Sequence, residues 1–330
     1  MTQSFSDYAV VIGVNEYKDP PGPLAGAAND ARAFIDWVQN TTSDGDVDST
    51  RTLKQLSSLG ITDLVNLLDE LTSQLREVGH KGRRLYIFVA GHGSGRRHKS
   101  AFLFASEHSV SIPVCWDIGD IAAQLESIFD EVVLFVDCCR TYMADAQPFP
   151  INLRLPYPES TRRHFHCFSC RLHEVTIEQD AEGGSRGVFS QNLLRVLEGK
   201  IAEAVDYQGN VTAYSLTHYL SKETSPAPDY HPSNPDSLRE IVLARNLPTL
   251  SRFLEIRFTS PPSSFGVLHG TTLNELLWTS TRTGDLTYRL ERVEQCIVVI
   301  TVPKVADVNS ARTTHFVKPH ESTTVVEVEP

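Results

Sequence analysis

Two short stretches of this 330-residue chain carry side chains suited to chemistry. The first is Gly91-His92-Gly93-Ser94-Gly95, directly after the apolar run Leu85–Ala90. The second is Asp137-Cys138-Cys139-Arg140, directly after Glu131–Val136. A histidine between glycines is poorly placed for core packing. The glycines let the backbone approach a substrate closely and permit positive φ. An imidazole beside a thiol favours the thiolate, and a thiolate attacks a carbonyl carbon. The two stretches therefore read as a nucleophile and its base. Side chains alternate along an extended chain, so only one of Cys138 and Cys139 can face His92. The same alternation points Asp137 the way Cys139 points.

The elements that must position these residues are legible from apolar patterning. Tyr8–Val14, Leu85–Ala90 and Glu131–Asp137 are continuous apolar runs rich in Val, Ile and Phe, which suits strands buried on both faces. Ala101–Ala105 reads as a short strand and Phe165–Cys170 as another. Between them, Ala27, Ala31, Phe34, Ile35 and Val38 recur at helical spacing, as do Leu64, Leu67, Leu68, Leu71 and Leu75. Asp117 is placed to cap a helix through Ile128, and helices follow at about Ser190–Leu197 and Thr212–Ser221. Strands alternating with amphipathic helices imply an α/β fold with a mostly parallel sheet covered on both faces, whose functional residues sit at the carboxyl ends of strands. The proline-rich Ser225–Pro235 reads as a linker or rim loop. Beyond it, short turn-separated β runs make Pro248–Pro330 a small antiparallel β domain. The expected organisation is thus a first domain over residues 1–235 and a second over 248–330.

Composition bounds the function. The net charge of −11 argues against a nucleic-acid-binding role, which needs a basic surface. No apolar run approaches membrane-spanning length and no signal pattern opens the chain, so a cytoplasmic protein without a membrane partner is expected. Six cysteines are too few for a disulfide scaffold. His164, His166, Cys167, Cys170 and His173 are good zinc-ligand types, but one short strand would have to curl tightly to gather four of them, and buried cysteines are the better reading. No metal or other cofactor is expected.

The chain resembles the caspase-like cysteine peptidases, most closely their bacterial members and the metacaspases. The stretches that carry the resemblance are YAVVIGVNEYKD with LAGAANDARAF, then IFVAGHGSG, VVLFVDCCR, and GVFSQNLLRVLEG with VTAYSLTHYL, in the family's order. Cys139 follows His92 by 47 residues, and an interval of about 50 is already known for the caspases. The resemblance implies the caspase–haemoglobinase fold and peptide-bond hydrolysis, with His92 as catalytic histidine and Cys139, third in D-x-C, as nucleophile. It implies an oxyanion hole from the backbone N–H groups of Gly93 and Cys139. Arg140-Thr141-Tyr142 departs from the His-Ser-Gly that follows the nucleophile in metacaspases. Calcium activates some metacaspases, but Asp44–Asp48 shows no recognisable ligand loop.

The resemblance also matches Asp30 to an acidic residue of the metacaspase S1 pocket. Asp30 could equally cap the first helix, and the two roles are compatible. Paired with Asp137 it would favour an Arg or Lys at P1, since a cation relieves the repulsion of two carboxylates. The expected function is a cysteine endopeptidase acting on protein or peptide substrates after Arg or Lys. It would be made as a precursor, answer to an activating protease or partner, and work in a bacterial defence or cell-death cascade. The alternative is a catalytically silent caspase-like interaction module. The proline-rich stretch from Thr141 to Arg163 offers Arg154, Arg162 and Arg163 as self-processing sites for such an enzyme.

Overall fold

The structure, a computed structural model, describes residues 7–18, 21–41, 50–77, 82–96, 101–109, 114–141, 148–153, 162–181, 184–206, 208–245 and 247, and the backbone of seven strands between 252 and 328. Through residue 245 the elements are β1 (Tyr8–Val14), α1 (Ala27–Thr41), β2 (Arg51–Ser57), α2 (Asp63–Glu77), β3 (Gly82–Ala90), β4 (Gly93–Ser94), β5 (Phe102–Phe104), β6 (Cys115–Asp117), α3 (Ile118–Leu125), β7 (Phe129–Asp137), β8 (Arg163–Phe168), β9 (Glu178–Ala181), β10 (Gly184–Gly187), α4 (Val188–Leu197), β11 (Val211–Thr212), α5 (Ala213–Glu223), β12 (Asp229–Pro232), α6 (Ser237–Glu240) and β13 (Val242–Ala244). The central sheet has the order β12-β8-β7-β3-β1-β2. All its pairs are parallel except β12 with β8.

Alternation explains why the strands read as unbroken apolar runs. Val10, Ile12, Ile87, Val89, Leu134 and Val136 pack on one face with Leu64, Leu68 and Leu71 of α2 and Ile118, Ile121 and Leu125 of α3. On the other face Phe34 of α1 stacks on Phe88 at 4.6 Å and meets Phe135 edge-on at 5.9 Å. Both faces are covered, so both sets of side chains must be apolar. Asp117 caps α3 as its position implies, accepting from Gly119 N at 3.0 Å. Thr212 and Ser215 form a capping box at the start of α5.

Three elements depart from the sequence expectation. Strand β2 has no apolar run, because an edge strand needs only Leu53 in the core and leaves its other positions half-buried or exposed. Residues 102–104 do form a strand, but in a separate three-stranded sheet with β4 and β6. The Ser225–Pro235 segment, expected as a linker, contributes β12 to the sheet edge, where Pro232 ends the strand and its missing N–H costs little.

The chain divides into two units, residues 1–200 with 211–245 and residues 201–210 with 246–330. The second holds a sheet of Thr287–Arg292, Arg252–Phe258 and Thr323–Val328, and another of Glu275–Ser280, Phe265–His269, Ile297–Val302 and Ala311–Phe316. It is not wholly antiparallel as expected: Arg252–Phe258 and Thr323–Val328 run parallel. Parallel neighbours need a crossover, and here the unit's other five described strands lie between them in sequence.

Arg140, directly after Cys139, is fully buried. Its guanidinium bonds Asp229 of β12 at 2.7 Å and the Cys170 carbonyl at 3.2 Å, and lies over the Phe168 ring at 4.3 Å. Burial opposes ionisation of Asp229, but bonds from His231 and Arg140 hold its carboxyl below the usual range. Replacing Arg140 by Ala leaves that carboxylate without its main counter-ion. Urea unfolding of Arg140→Ala should show a loss of about 3–5 kcal/mol. A loss below about 1 kcal/mol is the behaviour of a surface pair and would refute this account.

Candidate active site

Strands β3 and β7 are parallel neighbours with Ala90 opposite Asp137, and the Gly91 N–H donates to the Asp137 carbonyl at 3.1 Å. The two loops that follow therefore leave the sheet side by side at its carboxyl end. Alternation continues past β7. Cys138 packs into the hydrophobic cluster with Val89 and Val136, and burial pushes its thiol well up. Cys139 turns to the opposite side and lines a cavity of about 220 Å³ with His92, Asp30, Asp137, Glu178 and Gly187. Its Sγ lies 4.0 Å from the Thr176 carbonyl. Of the two cysteines, Cys139 is the one that shares a cavity with His92.

His92 is held by its ring and by its backbone. Nε2 lies 3.0 Å from the Gly22 carbonyl oxygen. A carbonyl only accepts, so Nε2 carries the proton and Nδ1 keeps its lone pair. Burial lowers the pKa of His92 while the Gly22 carbonyl and nearby Glu178 oppose the shift. Burial likewise pushes the Cys139 thiol up. Both shifts favour the neutral forms, thiol and imidazole.

Gly93 stands opposite Leu103 in the β4–β5 pairing, and the preceding carbonyl, of His92, accepts from Phe104 N at 3.0 Å. Antiparallel pairs alternate between bonded and non-bonded, so 93/103 is a non-bonded pair and the Gly93 N–H is free of the ladder. A Cβ at this residue would come within 2.7 Å of the Cys138 sulfur, so only glycine fits.

Asp137 is buried. Its Oδ1 accepts from Thr176 Oγ1 at 2.8 Å, and its Oδ2 from Ser190 Oγ at 2.6 Å and Ser190 N at 3.2 Å. Asp30 accepts from Arg186 Nε and Gly187 N, both at 2.7 Å. The two carboxylates converge on Gly187, where a Cβ would lie 2.2 Å from Asp137 Oδ2 and 3.2 Å from Asp30 Oδ2. Burial, then the charge of Asp137, pushes Asp30 up to about 7 against its bonds to Gly187 and Arg186. Burial pushes Asp137 up as well.

Asp30 does not cap α1, contrary to one expectation for it. The start of that helix is served by Asn15 Oδ1, which accepts from Ala28 N at 2.9 Å, and by Glu178, which accepts from Gly26 N at 2.9 Å and Ala25 N at 3.3 Å. Sequence reasoning missed both Glu178 and Arg186. They lie on the β9–β10 hairpin, whose polar strands have no apolar periodicity, and only the fold brings them 152 and 156 residues back to α1.

The other expected sites fall elsewhere. Arg163 is the first residue of β8, and its guanidinium pairs with Glu131 at 3.3 Å. Arg162 Nη1 donates to the Glu126 carbonyl at 2.9 Å. Both side chains are engaged with neighbouring elements in the fold. Arg154, Asp44–Asp48 and Cys296 lie outside the described residues. His164 and His166 both face Glu126, at 3.1 and 3.4 Å, while Cys170 Sγ meets the Cys138 carbonyl at 3.6 Å. Among the described residues no group of three or more His, Cys, Asp or Glu side chains is arranged to hold a metal ion.

The family described as "Caspase domain" matches residues 6–223, most of the chain. The chain belongs to this family of cysteine-type peptidases, and the mostly parallel sheet with helices on both faces is its α/β fold. It is also 26% identical over 221 residues to a probable protease of a Desulfuromonadales bacterium. That match covers 58% of this chain and 26% of the relative, so the chain spans about a quarter of the relative's length.

Exposure separates the two neighbouring thiols experimentally. Mass spectrometry after brief iodoacetamide treatment of the folded protein should find Cys139 alkylated and Cys138 intact. Since burial raises the Cys139 thiol, its rate should keep climbing with pH beyond the range of an ordinary cysteine, about 8.5. Preferential modification of Cys138 would overturn the assignment of faces.

Proposed function

We propose that the chain is a peptidase that hydrolyses peptide bonds after Arg or Lys, with Cys139 as nucleophile and His92 as base. The observation that carries this reading is a single cavity shared by Cys139, His92 and three carboxylates, Asp30, Asp137 and Glu178. A P1 guanidinium or ammonium entering it would meet negative charge on several sides, whereas an aspartyl side chain would be repelled. His92 Nδ1 takes the Cys139 proton as the thiolate attacks the scissile carbonyl. The N–H groups of Gly93 and Cys139 receive the developing oxyanion. The imidazolium then protonates the leaving amine, and water, deprotonated by the same imidazole, hydrolyses the thioester.

No helix among the described residues is long and apolar enough to cross a membrane, and the caspase domain implies protein substrates. A precursor form, an activating partner and work in a bacterial defence or cell-death cascade belong to the same proposal on the resemblance, and a cytoplasmic location on the sequence pattern. Self-processing rests in this reading first on Arg154, because the side chains of Arg162 and Arg163 are engaged with Glu126 and Glu131. A cut after Arg154 should appear in the wild-type chain and not in Cys139→Ala.

Fluorogenic peptides test the specificity directly. Those with Arg or Lys at P1 should be cleaved far faster than those with Asp or Leu, and Cys139→Ala should cleave none. Asp137→Asn should lower kcat/KM for Arg substrates by the equivalent of about 2–5 kcal/mol. Fast cleavage after Asp would sink the pocket reading. No cleavage at any P1, with Cys139 still alkylatable, would leave the silent interaction module.

The pocket also makes a pH claim. Asp30, pushed up to about 7, is protonated below that pH and attracts a P1 cation less. The kcat/KM for Arg substrates should therefore rise from about pH 6 to about pH 8 more steeply than that of any residual neutral-P1 substrate. Parallel profiles for both would remove Asp30 from the pocket chemistry.

A further inference from the structure

The loop that follows β1 reaches His92 twice. Gly22 orients the ring, as described. The second contact comes from Tyr17, which the proposed reaction does not use. Its hydroxyl oxygen accepts the backbone N–H of His92 at 2.9 Å. Its ring meets the imidazole edge-on, with centroids 4.7 Å apart and an interplanar angle of 61°.

This hydrogen bond falls at a telling place. His92 and Phe104 stand at the head of the β4–β5 pairing, where two opposed residues of a regular antiparallel ladder exchange both backbone bonds. Here Phe104 N–H goes to the His92 carbonyl at 3.0 Å, while the His92 N–H goes to Tyr17. Both peptide groups flanking His92 are thereby pinned, one by β5 and the other by Tyr17. In a trans peptide the N–H points opposite to its C=O, so the bond from Phe104 aims the Gly93 N–H away from β5. Pinning the preceding peptide as well fixes the imidazole relative to that donor. The hydroxyl has little room to move, since a Cβ on Gly91 would lie 2.5 Å from it. Burial pushes the Tyr17 phenol far above its ordinary range, so it stays a neutral acceptor.

We propose that Tyr17 is a positioning residue that sets the imidazole of His92 and, through the shared backbone, the Gly93 N–H. Its kinetic consequence rests on the peptidase reading; its effect on His92 does not. Tyr17→Phe keeps the ring and removes the acceptor, and Tyr17→Leu removes both. Melting curves and circular dichroism establish that each variant is folded.

The first measurement needs no turnover: the pH profile of Cys139 alkylation by iodoacetamide, with His92→Ala marking complete loss of the base. The Tyr17→Phe profile should move toward that of His92→Ala, and Tyr17→Leu further. The second is hydrolysis of an Arg-P1 peptide, normalised to alkylatable Cys139. In Tyr17→Phe, kcat should fall about ten- to a hundredfold, part of the about 10²–10⁴-fold a positioned base supplies. KM should stay within about twofold of wild type. A merely structural residue would lower the folded fraction and leave both normalised readouts unchanged, and a wild-type alkylation profile in folded Tyr17→Phe overturns the proposal. If the wild-type chain alkylates normally but cleaves nothing, the peptidase reading fails, and the alkylation profile still decides the role of Tyr17.

Discussion

The parallel pairing of β3 with β7 is the constraint on which the rest of this site depends. It sets Ala90 opposite Asp137, and the Gly91 N–H to Asp137 carbonyl bond carries that register one residue beyond the sheet. His92 and Cys139 are consequently delivered to one cavity by two adjacent buried strands rather than by long loops. A slip of one residue in either strand would exchange the faces of Asp137, Cys138 and Cys139 and send the wrong thiol to the imidazole. The apolar side chains on both faces oppose such a slip, because it would turn each toward partners chosen for the other face. Core packing and the placement of His92 and Cys139 are in this sense one property.

Around that frame, charge is managed by closure of the chain on itself. Asp30 and Asp137 converge on Gly187, an arrangement that would be self-repelling without the bonds from Arg186, Thr176 and Ser190. The β9–β10 hairpin supplies one cation to α1 through Arg186 and one anion to the start of α1 through Glu178. Helix N-termini favour negative charge, so the second contact complements the helix dipole while bringing a third carboxylate to the cavity wall. At the far side, the buried Arg140–Asp229 pair ties the residue after Cys139 to the edge strand β12. Cys139 thus sits between an apolar register on one side and charged ties on the other.

The parts legible in the sequence were those whose signal is local. Continuous apolar runs marked β1, β3 and β7, a 3.6-residue period marked α1 and α2, and a lone aspartate before an apolar stretch marked the start of α3. Gly-His-Gly and Asp-Cys-Cys at strand ends marked the chemistry, and family register chose Cys139. The misses share a cause. Strand β2 and the β9–β10 hairpin are polar because they lie at an edge or over a cavity. Strand β12 was hidden by prolines that an edge position tolerates.

By itself, then, the sequence determined the fold class, the strand ends that hold the reacting groups and the two residues that form the candidate dyad, because periodicity and strand alternation act over a few neighbouring residues. Only the tertiary structure decided that Asp30 faces Arg186 and Gly187 instead of capping its own helix, that Glu178 joins the cavity, that Arg140 is a buried counter-ion and that Tyr17 holds the backbone of His92. Each of these is a pairing of buried polar groups distant in sequence. Desolvation makes an unpartnered buried group costly, and which partner satisfies it depends on what the folded chain brings within hydrogen-bonding distance.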